Sequence, residues 1–265
     1  MADEISQSVK DALEALRVLK AAMTSPEMKK ALQTTARIVQ ATVDALEPFT
    51  VFVAEFMARQ ALNERVEQSG WLPHPLLPFD AFDLQTPVLE IDQIIRSRLS
   101  ENIEAVEMFF RESASQYGID DIVPIVMSEA LECHRRGNYR AVVRMLFPEI
   151  ERSVRYVYGL GPGEKGVASI REARNQLKIL PLGLVSNHRG MFSLYQKLDR
   201  HLYMRVETPE ALAVAEADPV PNRHAALHGL VDYSSMQNSM NMIIMADFIF
   251  RPLGAIYRQR REQQG

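Results

Sequence analysis

Apolar residues recur at three- and four-residue spacing along most of the chain, the signature of helices with one buried face. Ile5, Val9, Ala12, Leu13, Leu16 and Leu19 predict a first helix over about 3–22. Ser25-Pro26-Glu27 reads as the cap and start of a second, reaching about Leu46. Pro48 reads as the start of a third, with Phe49, Phe52, Val53, Phe56 and Met57 on one stripe. Three such helices predict an antiparallel N-terminal bundle.

The pattern then breaks. Ser69-Gly70-Trp71-Leu72-Pro73-His74-Pro75-Leu76-Leu77-Pro78-Phe79 holds three prolines, which no regular helix survives at this spacing, and the only Trp. It reads as an ordered loop anchored by Trp71 and Phe79, with His74 a loop residue rather than a ligand. Thr86-Pro87 starts a helix to about Leu99, and Ser100 caps the next, to about Tyr117. Gly118 punctuates, and a domain boundary is expected at 118–121. That gives an N-terminal helical region, 1–118, and a second helical domain, 119–265.

In the second part, Asp120 or Asp121 caps a helix over about 122–136. The clearest amphipathic helix runs over about 138–158. Val143, Leu146, Phe147, Ile150, Val154 and Val157 form its apolar face, and Arg140, Arg144, Arg152 and Arg155 lie opposite. Glu149 and Glu151 are placed to pair with those arginines, and Glu151 could instead orient Arg223. Gly159-Leu160-Gly161-Pro162-Gly163 lacks the Gly-Lys-Ser/Thr of a phosphate loop and follows no strand. Further helices are predicted over about 167–180, 189–205 and 209–217. Ser234-Ser235-Met236-Gln237 has capping-box spacing before a last helix with Met236, Met240, Ile243, Ile244 and Phe248 as its apolar stripe. Pro252 should kink or end that helix. The fold class expected is all-α.

Composition narrows the picture. Few glycines (12) and many methionines (13) suit adaptable helical packing. One cysteine, Cys133, excludes a disulfide framework and a Cys-based zinc cluster. The first 30 residues carry acids, unlike a signal or transit peptide. The longest apolar run, Met242–Phe250, is interrupted by Asp247 and is too short to span a membrane, so a cytoplasmic protein is expected. Charge is uneven. Residues 1–132 carry 11 Lys and Arg against 22 Asp and Glu, and residues 133–265 carry 19 against 12. A basic C-terminal half favours an anionic partner, or the two halves attract one another. The Arg258-Gln259-Arg260-Arg261 tail stabilises a helix C-terminus and is a further place for contact with such an anion.

The densest chemistry lies in Pro221-Asn222-Arg223-His224-Ala225-Ala226-Leu227-His228-Gly229. Asp218-Pro219 starts and Gly229 stops a short helix over about 219–228. Arg223 would sit near its N-terminus, where free N–H groups favour an anion. His224 and His228, four apart, share a face. Arg223 and His228, five apart, diverge by roughly 140° on a regular helix. A second copy of the segment would therefore complete a site on one phosphodiester.

Arg223-His224-Ala225-Ala226-Leu227-His228 fits the Arg-x4-6-His signature of the HEPN superfamily. With Asn222, Gly229, Asp232-Tyr233 and the following apolar helix, the segment resembles HEPN-type C-terminal domains of bacterial proteins. Leu146 to Arg155 is similar to the second helix of such domains. The resemblance covers roughly the last half of the chain. It implies a dimeric, metal-independent endoribonuclease, plausible as a toxin or phage-defence effector, with no cofactor. Arg223 would stabilise the phosphorane and His228 would act as base or acid. Asn222 and His224 would support them, and Arg140, Arg144, Arg152 and Arg155 would contact RNA phosphates. An antitoxin or regulatory protein is a further expected partner. Three other readings stay open. The histidines could bind a metal, the domain could be a non-catalytic RNA-binding or protein-interaction module, or Arg223 and His228 could merely cap and pack a turn.

Overall fold

The computed structural model describes residues 26–159 and 191–264, together with Glu14 and Arg17. The described residues are all-α, with no strand among them. The predicted helix over 3–22 falls largely outside them, as do those over 167–180 and the first residues of 189–205.

The second and third predicted helices are one. Helix α1 runs unbroken over Pro26–Gln68, straight through Pro48. A mid-helix proline removes one N–H donor. Here Ala, Leu and Glu precede it in Asp44-Ala45-Leu46-Glu47, and these strong helix formers carry the helix past the gap. No turn separates the expected pair, so they cannot form two arms of a bundle. The chain divides into two compact units, 1–58 and 59–265. The candidate site belongs to the second.

In that unit α2 (Val88–Glu101), α3 (Ile103–Tyr117), α4 (Ile122–Arg135) and α5 (Tyr139–Tyr158) follow one another through tight turns. Ser100 is not the cap between α2 and α3. Asn102 makes that joint, and its amide donates back to the carbonyl of Arg98 at 2.8 Å. Residues 118–121, expected as a boundary, form the α3–α4 turn. Gly118 takes the left-handed conformation there (φ 64°). Asp120 accepts from the free N–H groups of Ile122 and Val123 at 3.0 Å. Ile91, Ile95 and Leu99 of α2, Val106 and Phe110 of α3, and Val143, Leu146 and Phe147 of α5 share one core.

After residue 191 come α6 (Met191–Lys197), a wider turn of helix over Leu198–Leu202, α7 (Pro209–Ala217), α8 (Arg223–Leu227) and α9 (Met236–Gln264). α9 is the axis of the unit. Every residue from Ser239 to Phe250 is buried. A helix apolar on all sides belongs inside a protein or a membrane. Met236–Glu262 is long and apolar enough to span a bilayer, yet 83 % of its most apolar 18-residue stretch is buried within the fold. Its cap is one residue later than predicted. Ser235 and Asn238 bond reciprocally (Ser235 N–H to Asn238 Oδ1 3.0 Å, Asn238 N–H to Ser235 Oγ 3.1 Å). Pro252 does not end it, because the helix continues to Gln264.

The Pro-rich loop is pinned to this axis. Leu72 N–H donates to Asn241 Oδ1 (3.0 Å), Asn241 donates to the Gly70 carbonyl (2.8 Å), and Gln237 to the Ser69 carbonyl (3.0 Å). Trp71, 1 % exposed, donates from its indole to Asp92 at 2.8 Å. Buried backbone groups need such partners, and here side chains supply what a sheet or helix would.

Candidate functional site

The segment from 218 to 232 folds more tightly than its sequence suggests. Asp218 does not start a helix but closes α7, its N–H donating to the Val214 carbonyl. Its carboxylate accepts from Val220 N–H (3.0 Å) and pairs with Lys197. The chain bends at Pro219 and Val220 before the helix. The cap is Asn222, whose Oδ1 accepts from Ala225 N–H at 2.9 Å. Helix α8 is therefore five residues long, and Arg223 is its first. Gly229 stops it with φ 68°.

Asn222 is fully buried and uses every polar atom on the protein. Nδ2 donates to the carbonyls of His201 (2.6 Å) and Met204 (3.0 Å), and its own N–H donates to Tyr233 Oη (3.1 Å). Tyr233 Oη in turn donates to the Ala215 carbonyl at 3.0 Å. Burial pushes the Tyr233 phenol up to about 12. Asn222 thus holds Arg223 and the imidazoles in place and reaches no ligand.

Arg223 lies across α5. Its Nε donates to Glu151 Oε1 (2.8 Å) and its Nη2 to Oε2 (3.4 Å). Arg155 flanks the same carboxylate at 3.9 Å. The structure thus settles Glu151 as the orienting partner. One edge of the guanidinium is occupied. Three of its five N–H groups, on Nη1 and Nη2, are left. Tyr203 lies near this pair with a fully buried hydroxyl that has no hydrogen-bond partner among the described residues. Burial holds its phenol far above the ordinary range, with the Glu151 charge acting in the same direction.

His224 and His228 stack, with ring centroids 4.5 Å apart and planes tilted 46°. His228 is exposed at the end of α8, and its backbone N–H closes the turn onto His224 O at 3.1 Å. His224 is half-buried, and its Nδ1 is buried with no hydrogen-bond partner among the described residues. Among the described residues no group of three His, Cys, Asp or Glu side chains could hold a metal ion.

The four arginines of α5 divide. Arg152 is committed to Asp120 (2.7 Å) and Glu149 (2.6 Å). Arg155 faces Glu151. Arg140 makes a two-point pair with Asp232 at 2.5 and 2.7 Å, with both side chains over half exposed. Such a surface pair is worth under about 1 kcal/mol and exchanges readily for another anion. Arg144 is exposed and pairs with no acid among the described residues. It lines, with Arg140, Tyr139 and Ser234, an open groove of about 530 Å³. On α5, Arg140, Arg144, Glu151 and Arg155 fall within roughly 60° of one another around the axis. The groove and the Arg223 pair therefore share one helix face.

A second polar cluster escaped the sequence reading. Asp247, fully buried on α9, accepts from Tyr117 Oη and from Arg251 (Nε 2.8 Å, Nη2 3.1 Å). Arg251 also donates to Ser113 Oγ at 2.8 Å. His74 Nε2 lies 3.6 Å from Asp247, and its ring stacks on Phe110. Leu76 N–H donates to His74 Nδ1, which leaves the ring proton on Nε2, facing the carboxylate. Although burial opposes it, bonding to His74 and Arg251 holds the Asp247 carboxyl down at about 2. A charge inside an apolar run, with Arg four residues on, was the available signal.

A scan against protein-family models matches none, and searches of the curated proteins and of the solved structures return no match.

Proposed function

We propose that this chain is a HEPN-like, metal-independent endoribonuclease acting as a homodimer, in a toxin or antiviral setting. The observation that supports this reading is the arrangement around Arg223. Glu151 occupies one edge of the guanidinium and aims the other outward, while an exposed imidazole, His228, stands one turn away beside His224. A fork of this kind binds two phosphate oxygens. The ribose 2′-oxygen attacks phosphorus, the bond to the 5′-oxygen breaks, and a cyclic phosphate forms. One imidazole takes the 2′-hydroxyl proton and one in its acid form returns a proton to the 5′-oxygen. Two copies supply two of each group. Arg140 and Arg144 hold the flanking phosphates along α5.

The rival reading is a non-catalytic RNA-binding or protein-interaction module. It gains support from the same ion pair, because Arg223 is already neutralised by Glu151. RNA cleavage in EDTA separates the two. His228→Ala should lower the rate by roughly 10²–10⁴-fold with RNA affinity kept, and Arg223→Ala should lower both. Unchanged cleavage in either variant sinks the mechanism.

A further inference from the structure

At their C-terminal ends α5 and α9 lie side by side and present tyrosines interleaved with arginines. The Tyr156 and Tyr257 hydroxyls share a hydrogen bond at 3.1 Å, and their rings are 5.4 Å apart, tilted by 40°. Arg261 lies over the Tyr257 ring at 5.8 Å, and Arg260 over Tyr158 at 5.2 Å. Tyr156 is 47 % exposed. Neither Arg260 nor Arg261 pairs with an acid among the described residues. The nearby carboxylate of Asp120 is already neutralised by Arg152.

A packing seam between two helices has no need of this chemistry, because apolar residues would close it at less cost. Rings stacked with guanidinium groups match the flat faces and regular charges of an unpaired polynucleotide. We infer that the Tyr156–Tyr257 cluster, with Arg260 and Arg261, is a stacking platform for single-stranded nucleic acid. A base lies on the exposed face of Tyr156, and the two arginines take the phosphates on either side. Duplexes fit poorly, because their bases are already stacked. Binding at the platform needs no bond to be broken.

Fluorescence anisotropy of the full chain with labelled oligo(U) and oligo(dT) of about 12 nucleotides, within the usual site size, tests this. Oligo(dT) lacks the 2′-hydroxyl, so its binding is read independently of the cleavage proposed above. Tyr156→Ala should weaken binding roughly tenfold, as loss of one stacked base does. Tyr156→Phe, which keeps the ring, should bind within about twofold of wild type. Arg261→Gln should lessen the slope of log affinity against log salt by about 0.7, one phosphate contact. Binding of either polymer with this ring dependence supports the platform. Equal affinity in Tyr156→Ala, no binding at all, or a duplex bound as tightly as the single strands overturns it.

Discussion

Single residues carry two predictions about what the site rests on. Asn222→Ala removes the α8 cap, takes from the Met204 carbonyl the side-chain donor that pairs it, and leaves the His201 carbonyl with the Met204 N–H alone. Caps and buried hydrogen bonds are each worth about 1 kcal/mol, so a loss of roughly 2–4 kcal/mol is expected in chemical denaturation. A midpoint unchanged from wild type would contradict the burial of Asn222. His134 gives the pH counterpart. It lies against Ser239 Oγ (2.7 Å) with its ring on Tyr139, and burial pushes its imidazole down to about 4. The unfolded chain takes up this proton near pH 6.5 and the folded chain only near 4. Stability is therefore complete above about pH 6.5 and is lost as pH falls toward 4, by roughly 3 kcal/mol. Thermal melts across this range should show a flatter slope in His134→Gln, and an identical slope would remove His134 as the cause. Asp247, held near 2, adds a further loss below about pH 4. The sequence made Arg223, His228 and the Glu pairs legible, because spacing and charge display them. It hid the duty of Asn222, since one amide can cap a helix or touch a phosphate. Only the buried carbonyls of residues 201 and 204 decide between these uses.

At the scale of elements, periodicity located α2, α3, α4, α5, α7 and α9, and their errors gather at prolines. Pro48 reads as a helix start and Pro252 as a kink or an end, yet α1 runs through the first and α9 continues past the second. A lost N–H costs one bond, and flanking helix formers or buried contacts outweigh it. Pro219 and Pro221 erred the other way, lying before the helix they were expected to start. The α3–α9 crossing rests on a smaller feature that no periodicity displays. A Cβ on Gly254 would lie 1.9 Å from the Tyr117 carbonyl oxygen, so the backbones touch there. Arg258 donates to that same oxygen at 2.8 Å. Gly254→Ala must force the helices apart, at a cost of about 1–3 kcal/mol or more. An unaltered urea midpoint would show that the crossing is looser than described.

For the whole molecule, the division at residues 58 and 59 makes a direct claim. A chain beginning at Arg59 contains the shared core, the site and the stacking platform. It should fold cooperatively and keep the near-ultraviolet dichroism of Trp71. Loss of that signal would mean the second unit is not self-sufficient. The expected division at 118–121 rests on Gly118, which in the structure turns the chain between two helices that share a core. The pinned Pro-rich loop has a consequence for biosynthesis. Its partners Gln237 and Asn241 lie about 170 positions downstream. A ribosome adding ~5–20 residues each second needs on the order of 10–30 s to reach them. Throughout that interval Trp71, Leu72 and Leu77 have no axis to settle on. The nascent chain therefore offers chaperones an apolar stretch early, and withdraws it only once α9 has been made.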